Sequence, residues 1–179
     1  EETKVLTIKS KEGDLFNVDS KYLRVSRVLN DMLDSVDGGD NVNTDQLFPG
    51  KYTYTCSTPE EIKPHLLEDL DPDFSENVNQ GDIIFAGKNF GCGSSREQPV
   101  IGLKYVGIKA VVAESFARIF YRSAINQGLI LIECPKAVNA YKKDDEVKID
   151  IENGKLIVSK NEYSFPKLPK KILEIRDAG

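Results

Sequence analysis

The strongest constraint on the fold is a glycine-rich turn at residues 91–97, with the sequence Gly-Cys-Gly-Ser-Ser-Arg-Glu. An apolar run at residues 82–86 precedes it and predicts a strand, and the pattern over residues 97–105 predicts a helix. Because glycine has no Cβ, the chain can turn sharply between the two. Free N–H groups at the start of a helix favour negative charge. The sequence therefore predicts a polar, anion-binding pocket at a strand-to-helix turn.

The hydroxyls of this turn have two interpretations. Ser94 or Ser95 could simply cap the helix. Alternatively, a serine hydroxyl could take a proton from carbon, provided that backbone amides and the guanidinium of Arg96 stabilise the alkoxide. The single histidine, His65, lies outside the turn. A Ser-His-Asp hydrolase is therefore poorly supported.

Two further motifs are long and unusual. Residues 39–46 read Gly-Asp-Asn-Val-Asn-Thr-Asp-Gln, and residues 115–129 read Ser-Phe-Ala-Arg-Ile-Phe-Tyr-Arg-Ser-Ala-Ile-Asn-Gln-Gly-Leu. With the glycine-rich turn, residues 39–179 resemble the small subunit of 3-isopropylmalate dehydratase and homoaconitase-type hydro-lyases, which is the swivelling domain of the aconitase superfamily. The resemblance implies an α/β fold, a swivelling β/β/α domain.

The resemblance also implies roles for particular residues. Ser94 would be the catalytic base in the dehydration and rehydration of a hydroxy-acid. Ser95 and Arg96 would bind a substrate carboxylate, and the guanidinium fork suits such a group. Thr44 and Asp45 match the family's Thr-Asp pair and would border the same cleft.

Substrate choice is implied to depend on a recognition loop, here Thr53, Tyr54 and Thr55. The loop contains no arginine, which argues weakly against a tricarboxylate, and it matches no usual pattern of the family. A 3-isopropylmalate-type substrate is favoured, and another branched or methylated malate stays open. Arg118 and Arg122, one turn apart on a predicted helix, are interpreted as structural or interfacial.

The cysteines bear on cofactors and location. Cys56, Cys92 and Cys134 are widely spaced and form no metal-binding or disulfide pattern. We therefore predict that this chain holds no metal and no cofactor. The resemblance implies a 4Fe-4S cluster on a separate large subunit, which would be the partner. Reduced thiols favour a cytoplasmic location.

Charge and hydropathy exclude other classes of partner. The net charge is −5, whereas nucleic-acid binding requires a basic surface. No apolar run approaches the roughly 20 residues of a membrane span. The first residues do not resemble a signal peptide. Neither nucleic acid nor membrane is an expected partner.

The opening residues differ in character from the rest. Residues 1–38 predict a strand-turn-strand-helix appendage, and residues 39–179 the aconitase-like domain. The helix prediction rests on apolar spacing between residues 25 and 33. This opening resembles the start of a Skp1-type POZ domain, so a fusion and a lineage-specific extension both stay open. An alternative function is a non-catalytic adaptor with an F-box-type partner.

The remaining pattern predicts the layers of the domain. Strands and helices alternate from residue 82 to residue 132, which favours parallel strands. Residues 146–158 predict an antiparallel hairpin around the Asn153–Gly154 turn. A helix is predicted at residues 57–67 and another at residues 170–177, with a loop at residues 69–79.

Overall fold

The computed structural model describes residues 5–9, 15–19, 22–24, 28–29, 39–142 and 145–178. Its strands are β1 (Val5–Lys9), β2 (Leu15–Asp19), β3 (Tyr22–Arg24), β4 (Val28–Leu29), β5 (Ile83–Ala86), β6 (Ala110–Ala113), β7 (Ile130–Glu133), β8 (Val147–Asp150), β9 (Lys155–Val158) and β10 (Asn161–Ser164). Its α-helices are α1 (Thr44–Leu47), α2 (Pro59–Ile62), α3 (Phe74–Asn77), α4 (Gln98–Tyr105), α5 (Arg118–Gln127), α6 (Pro135–Ala140) and α7 (Lys170–Ala178). Short 3-10 turns lie at Gly50–Tyr52 and Lys63–His65.

A parallel sheet with the strand order β4-β5-β6-β7 forms the middle of the domain. Helix α4 connects β5 to β6, and α5 connects β6 to β7. The side chains of β5 and β6 are all buried, as expected for a sheet covered on both faces. The predicted parallel connections are confirmed.

The two faces of this sheet contribute to different cores. Ile84 and Val111 pack with residues of α2, α4 and α5. Phe85 and Val112 point the other way and pack with α6 and with strands β8 and β9. Helices, parallel sheet and antiparallel sheet therefore form three layers, called here the three-layer domain. This is the predicted β/β/α arrangement.

The antiparallel layer has the strand order β10-β9-β8-β3. The predicted hairpin joins β8 to β9, with Val147 opposite Val158. At its turn Gly154 has φ +66, and a Cβ there would lie 2.5 Å from the Phe165 carbonyl oxygen. The prediction of this hairpin is confirmed.

The predicted helix of the N-terminal appendage is wrong where the structure describes it. β4 lies inside the predicted helix and pairs in parallel with β5, so that Val28 faces Ile83. The edge of β5 would otherwise expose unpaired backbone groups, and sheet pairing outweighs a helical spacing of apolar residues. Strands β1 and β2 correspond to the predicted strand-turn-strand and pair with each other in antiparallel orientation.

The domain boundary expected between residues 38 and 39 stays a prediction. The pairing of strands β3 and β4 bears on it. β3 pairs with β8 and β4 pairs with β5, so both belong to sheets of the three-layer domain. The β1–β2 hairpin forms a separate two-stranded sheet. These pairings favour a boundary before β3.

Several other elements differ from expectation. The helix predicted at residues 57–67 is divided into α2 and a 3-10 turn, since Pro64 has no N–H to continue it. Helix α3 lies in the predicted loop at residues 69–79. Helices α1 and α6 and strand β10 had no predicted counterpart.

Two truncations should show whether the β1–β2 hairpin or strands β3 and β4 contribute to the stability of the three-layer domain. Deletion of residues 1–20 removes only strands that pair with each other, so the thermal midpoint should stay near that of the full chain. Deletion of residues 1–37 also removes β3 and β4, which exposes the edges of β8 and β5. The midpoint should then fall, by about 2–4 °C for each kcal/mol lost. Equal midpoints for the two truncations would contradict this account.

Candidate active site

The candidate site lies at the carboxyl edge of the parallel sheet. The chain leaves β5 into residues 87–97 and leaves β6 into residues 114–117. These segments are joined by hydrogen bonds, in which the Phe90 amide donates to the Ser115 carbonyl at 3.0 Å and the Ala117 amide to the Phe90 carbonyl at 2.9 Å. The carboxyl edge is the usual place for ligands in open α/β sheets.

Two glycines shape the turn. Gly91 has φ +79, and a Cβ there would overlap the Phe120 ring of α5. Gly93 has φ +98, and a Cβ there would lie 3.1 Å from Thr44 Oγ1. Glycine adopts these left-handed conformations without steric cost. The turn can therefore contact α5 on one side and α1 on the other.

Helix α1 brings the Thr-Asp pair to this turn. The Gly91 amide donates to the Val42 carbonyl, and the Thr44 amide donates to the Cys92 carbonyl, each at 2.8 Å. The Thr44 hydroxyl, which is buried, donates to the Ser94 carbonyl at 3.1 Å. Reciprocal bonds between the backbones and side chains of Asn43 and Gln46 cap the helix. Two motifs distant in sequence thus form one site.

Arg96 joins three segments of the site. Its Nη2 donates to Asp45 Oδ1 at 2.7 Å and to Thr44 Oγ1 at 3.5 Å, and its Nη1 donates to Thr53 Oγ1 at 3.0 Å. The side chain is only 10% exposed. Its buried Nε has no partner among the described residues. One donor of the guanidinium edge therefore makes no hydrogen bond within the described part of the chain.

Ser94 and Ser95, which directly precede Arg96 in the chain, are exposed. Helix α4 begins only at Gln98, Glu97 occupies its N-cap position, and no side chain caps it. The alternative that Ser94 or Ser95 caps the helix is therefore wrong. Both serines are exposed residues of the turn.

The predicted recognition loop also reaches the site. Thr53 accepts the bond from Arg96, and its carbonyl accepts a bond from Gln98 Nε2 at 3.3 Å. Thr55 Oγ1 donates to the Tyr52 carbonyl. Tyr54, at the tip, is 96% exposed. The loop is thus held beside Arg96 while one aromatic side chain projects from it.

Two contributors were not identified from sequence. Gln98 directly follows the glycine-rich motif, but an amide side chain has no distinctive signal. Gly50 allows its backbone to lie close to the Asp45 carboxylate, because a Cβ at this position would lie 2.7 Å from Asp45 Oδ1. Arg118 and Arg122 are exposed on α5, and no hydrogen bond joins them to the turn within the described ranges.

The described residues do not fit an iron–sulfur cluster. They contain no group of three or more histidine, cysteine, aspartate or glutamate side chains able to hold a metal ion. Cys56 and Cys134 are buried, and Cys92 Sγ donates to the Asn41 carbonyl at 3.4 Å. A 4Fe-4S cluster requires several thiolates around one centre.

The helices of the described ranges were also compared with the dimensions of a bilayer. Not one of them combines the length and the apolar character that crossing it would require.

Comparison with known proteins defines the class. The profile of the aconitase C-terminal domain family matches residues 21–137. The chain therefore belongs to the aconitase C-terminal domain family.

Named relatives fall within this class. The chain is 48% identical over 144 residues to the 3-isopropylmalate dehydratase small subunit of Aquifex aeolicus, covering 79% of this chain and 85% of the relative. It is 53% identical over 116 residues to the 2,3-dimethylmalate dehydratase small subunit of Eubacterium barkeri, covering 65% and 71%. A crystal structure of 3-isopropylmalate dehydratase from Methanocaldococcus jannaschii is similar, with a TM-score of 0.71, 44% identity and coverage of 79% of this chain and 84% of that chain.

The comparisons confirm the predicted family and fold. They give no support to the Skp1-type resemblance of the opening residues.

The turn can be tested with a matched pair of glycine substitutions. Gly91→Ala and Gly81→Ala both place a side chain at positive φ, which costs about 1–2 kcal/mol. At Gly91 the new Cβ would also overlap Phe120, whereas at Gly81 no atom of the described residues would lie within 4 Å of it. Overpacking adds about 1–3 kcal/mol, so Gly91→Ala should unfold at lower denaturant concentration than Gly81→Ala. Equal midpoints would show that the turn does not depend on close contact with α5.

Proposed function

We propose that this chain is the small subunit of a two-subunit hydro-lyase, which isomerises or dehydrates a 2-hydroxy di- or tricarboxylic acid. The main support is one arrangement: exposed Ser94 and Ser95 directly precede Arg96, whose buried Nε has no partner among the described residues. The names of the relatives agree with it, since they are dehydratase small subunits.

Ser94 is the proposed catalytic base. It would accept the proton from the carbon next to the one that bears the departing hydroxyl. The bond between Thr44 Oγ1 and the Ser94 carbonyl fixes the backbone at this position, and the backbone amides of the glycine turn can stabilise the alkoxide. The Ser94 side chain remains exposed and accessible to substrate.

Arg96 is the proposed carboxylate-binding residue, assisted by Ser95. A carboxylate binds a guanidinium best through two parallel N–H bonds. Nε has no partner in the part of the chain that the structure describes, and the adjacent Nη2 is bonded to Asp45, which is 64% exposed. Because the Asp45 carboxylate lies on the exposed side of this pair, a substrate carboxylate can replace it at Nη2 and bond Nε as well. Thr44 and Asp45 then border the occupied cleft.

The proposed substrate is a branched or methylated malate of the 3-isopropylmalate type. The names of two relatives specify 3-isopropylmalate and 2,3-dimethylmalate. In this chain the loop of Thr53, Tyr54 and Thr55 offers hydroxyls and one exposed aromatic ring, but no second arginine for a third carboxylate. An alkyl branch can pack against the Tyr54 ring.

The proposed partner is a large dehydratase subunit in the cytoplasm. The words "small subunit" in the names of the relatives support a two-subunit assembly. We expect the 4Fe-4S cluster on that partner, because the described residues of this chain offer no suitable group of ligands. Loss of the substrate hydroxyl is assigned to the partner, and proton removal and carboxylate binding to this chain.

Substitution of Ser94 tests the catalytic assignment. In the complex with a large subunit, Ser94→Ala should lower kcat by about 10²–10⁴-fold, as is typical for loss of a general base. The thermal midpoint should stay near that of the unsubstituted chain, because Ser94 does not cap α4. Ser164→Ala, an exposed serine of β10 in the antiparallel layer, is the control. A loss of less than tenfold for Ser94→Ala would exclude the assignment.

The proposed location of the cluster on the large subunit has its own test. After anaerobic incubation with iron and sulfide followed by gel filtration, this chain alone should elute without visible absorbance. The same treatment of its mixture with a large subunit should give a coloured complex that contains both chains. Visible absorbance and stoichiometric iron that elute with the small chain alone would place the cluster on this chain and overturn the proposal.

A further inference from the structure

We propose that Lys51, Tyr52, His65 and Glu68, called here the clamp, position the recognition loop and thereby set the selectivity for the substrate branch. His65 is the central positioning residue. This inference rests on the proposed function, because it assigns a role to residues behind the loop of that same site.

The clamp is a closed set of contacts. The rings of Tyr52 and His65 stack with their centroids 3.7 Å apart and their planes at 19°. His65 Nδ1 lies 2.9 Å from Glu68 Oε2, and Lys51 Nζ lies 3.0 Å from Glu68 Oε1. Lys51 Nζ also lies 4.8 Å from the centroid of the Tyr52 ring. Each member therefore contacts at least two others, which restricts the rotation of Tyr52.

The charges of the clamp reinforce this geometry. Burial opposes ionisation of Glu68, but hydrogen bonds from His65, Lys51 and Tyr52 outweigh it and lower the pKa of Glu68. The hydrogen bond to Glu68 raises the pKa of Lys51. An ionised carboxylate thus lies between the amine and the imidazole at neutral pH. A charged acceptor makes such bonds shorter and stronger.

The clamp has a rigid base. His65 ends the 3-10 turn Lys63–His65, and the next two residues, Leu66 and Leu67, are each only 1% exposed. The Leu67 amide donates to the Leu47 carbonyl at the end of α1 at 2.9 Å. Because α1 also carries Thr44 and Asp45, the clamp and the candidate active site share one support.

The loop is short and fixed at both ends. The Tyr52 carbonyl accepts hydrogen bonds from the amides of Thr55 at 3.1 Å and Cys56 at 3.0 Å, and Cys56 is buried. Arg96 and Gln98 hold Thr53 from the side of the active site. Only the Tyr52 end is held by the clamp. Loss of the clamp would therefore release the Tyr52 end of the loop and allow the exposed Tyr54 ring to shift, and a displacement of about 1 Å can strongly affect a bound substrate.

The test compares His65→Ala with His65→Phe in the full chain, assembled with a large subunit. Phenylalanine keeps the stack on Tyr52 and loses the bond to Glu68, whereas alanine loses both. The substrates are 3-isopropylmalate and 2,3-dimethylmalate, of which the first carries one isopropyl group at C3 and the second carries methyl groups at C2 and C3. We expect His65→Ala to reduce the selectivity, which is the kcat/KM for 3-isopropylmalate divided by that for 2,3-dimethylmalate, by about fivefold or more. Apolar pockets discriminate such groups about 10–200-fold. The change should appear mainly in KM, and His65→Phe should restore at least half of the lost ratio on a logarithmic scale.

A control separates the clamp from general loss of a surface ion pair. Glu162→Gln removes the partner of Lys155 in the antiparallel layer, where the two charges lie 2.9 Å apart. It should leave the ratio of kcat/KM values unchanged. An unchanged ratio in His65→Ala would overturn the proposed role of the clamp. A loss of kcat with the KM of each substrate unchanged would also overturn it.

A second measurement does not depend on activity. In the isolated full chain, the backbone amide signals of Thr53 and Tyr54 should shift in nuclear magnetic resonance spectra of His65→Ala, and not in those of Glu162→Gln. If the assembled enzyme turns over neither malate, the proposed function fails, and the selectivity role with it. The amide signals then still decide whether the clamp holds the loop, and unshifted signals would overturn that as well.

Discussion

The arrangement of the site depends on the guanidinium of Arg96. It is largely buried, so it must find partners to offset the loss of hydration. Asp45 of α1 and Thr53 of the recognition loop provide them. One side chain therefore joins the glycine-rich turn, the Thr-Asp helix and the loop. Its Nε has no partner among the described residues, and we propose that a substrate carboxylate supplies one.

The three-layer domain explains why these segments meet. The parallel strands end at one edge, where the turn after β5 contacts the segment after β6. Gly91 allows the turn to pack on Phe120 of α5, and Gly93 allows it to approach Thr44. The exposed hydroxyls of Ser94 and Ser95 thus project from a backbone that is fixed on both sides, as a preorganised site requires.

Sequence patterns predicted the parts of the structure that local chemistry determines. The Asn153–Gly154 hairpin follows from turn preferences, and α4 follows the glycine-rich turn as expected. The strand at Val28–Leu29 could not be predicted, because only pairing with β5 overrides its helical spacing. The bond from Arg96 to Thr53 was also not predictable, since it joins residues distant in sequence through the tertiary fold. The roles of Ser94 and Arg96 stay predictions.

The most direct test of the account is a crystal structure of the two-subunit complex with an unreacted branched malate. The account predicts that one substrate carboxylate bonds Nε and Nη2 of Arg96 and displaces Asp45, with Ser94 Oγ facing the carbon that loses its proton. A structure in which Arg96 keeps its bond to Asp45 while the malate carboxylates bind elsewhere would contradict the central role of this guanidinium.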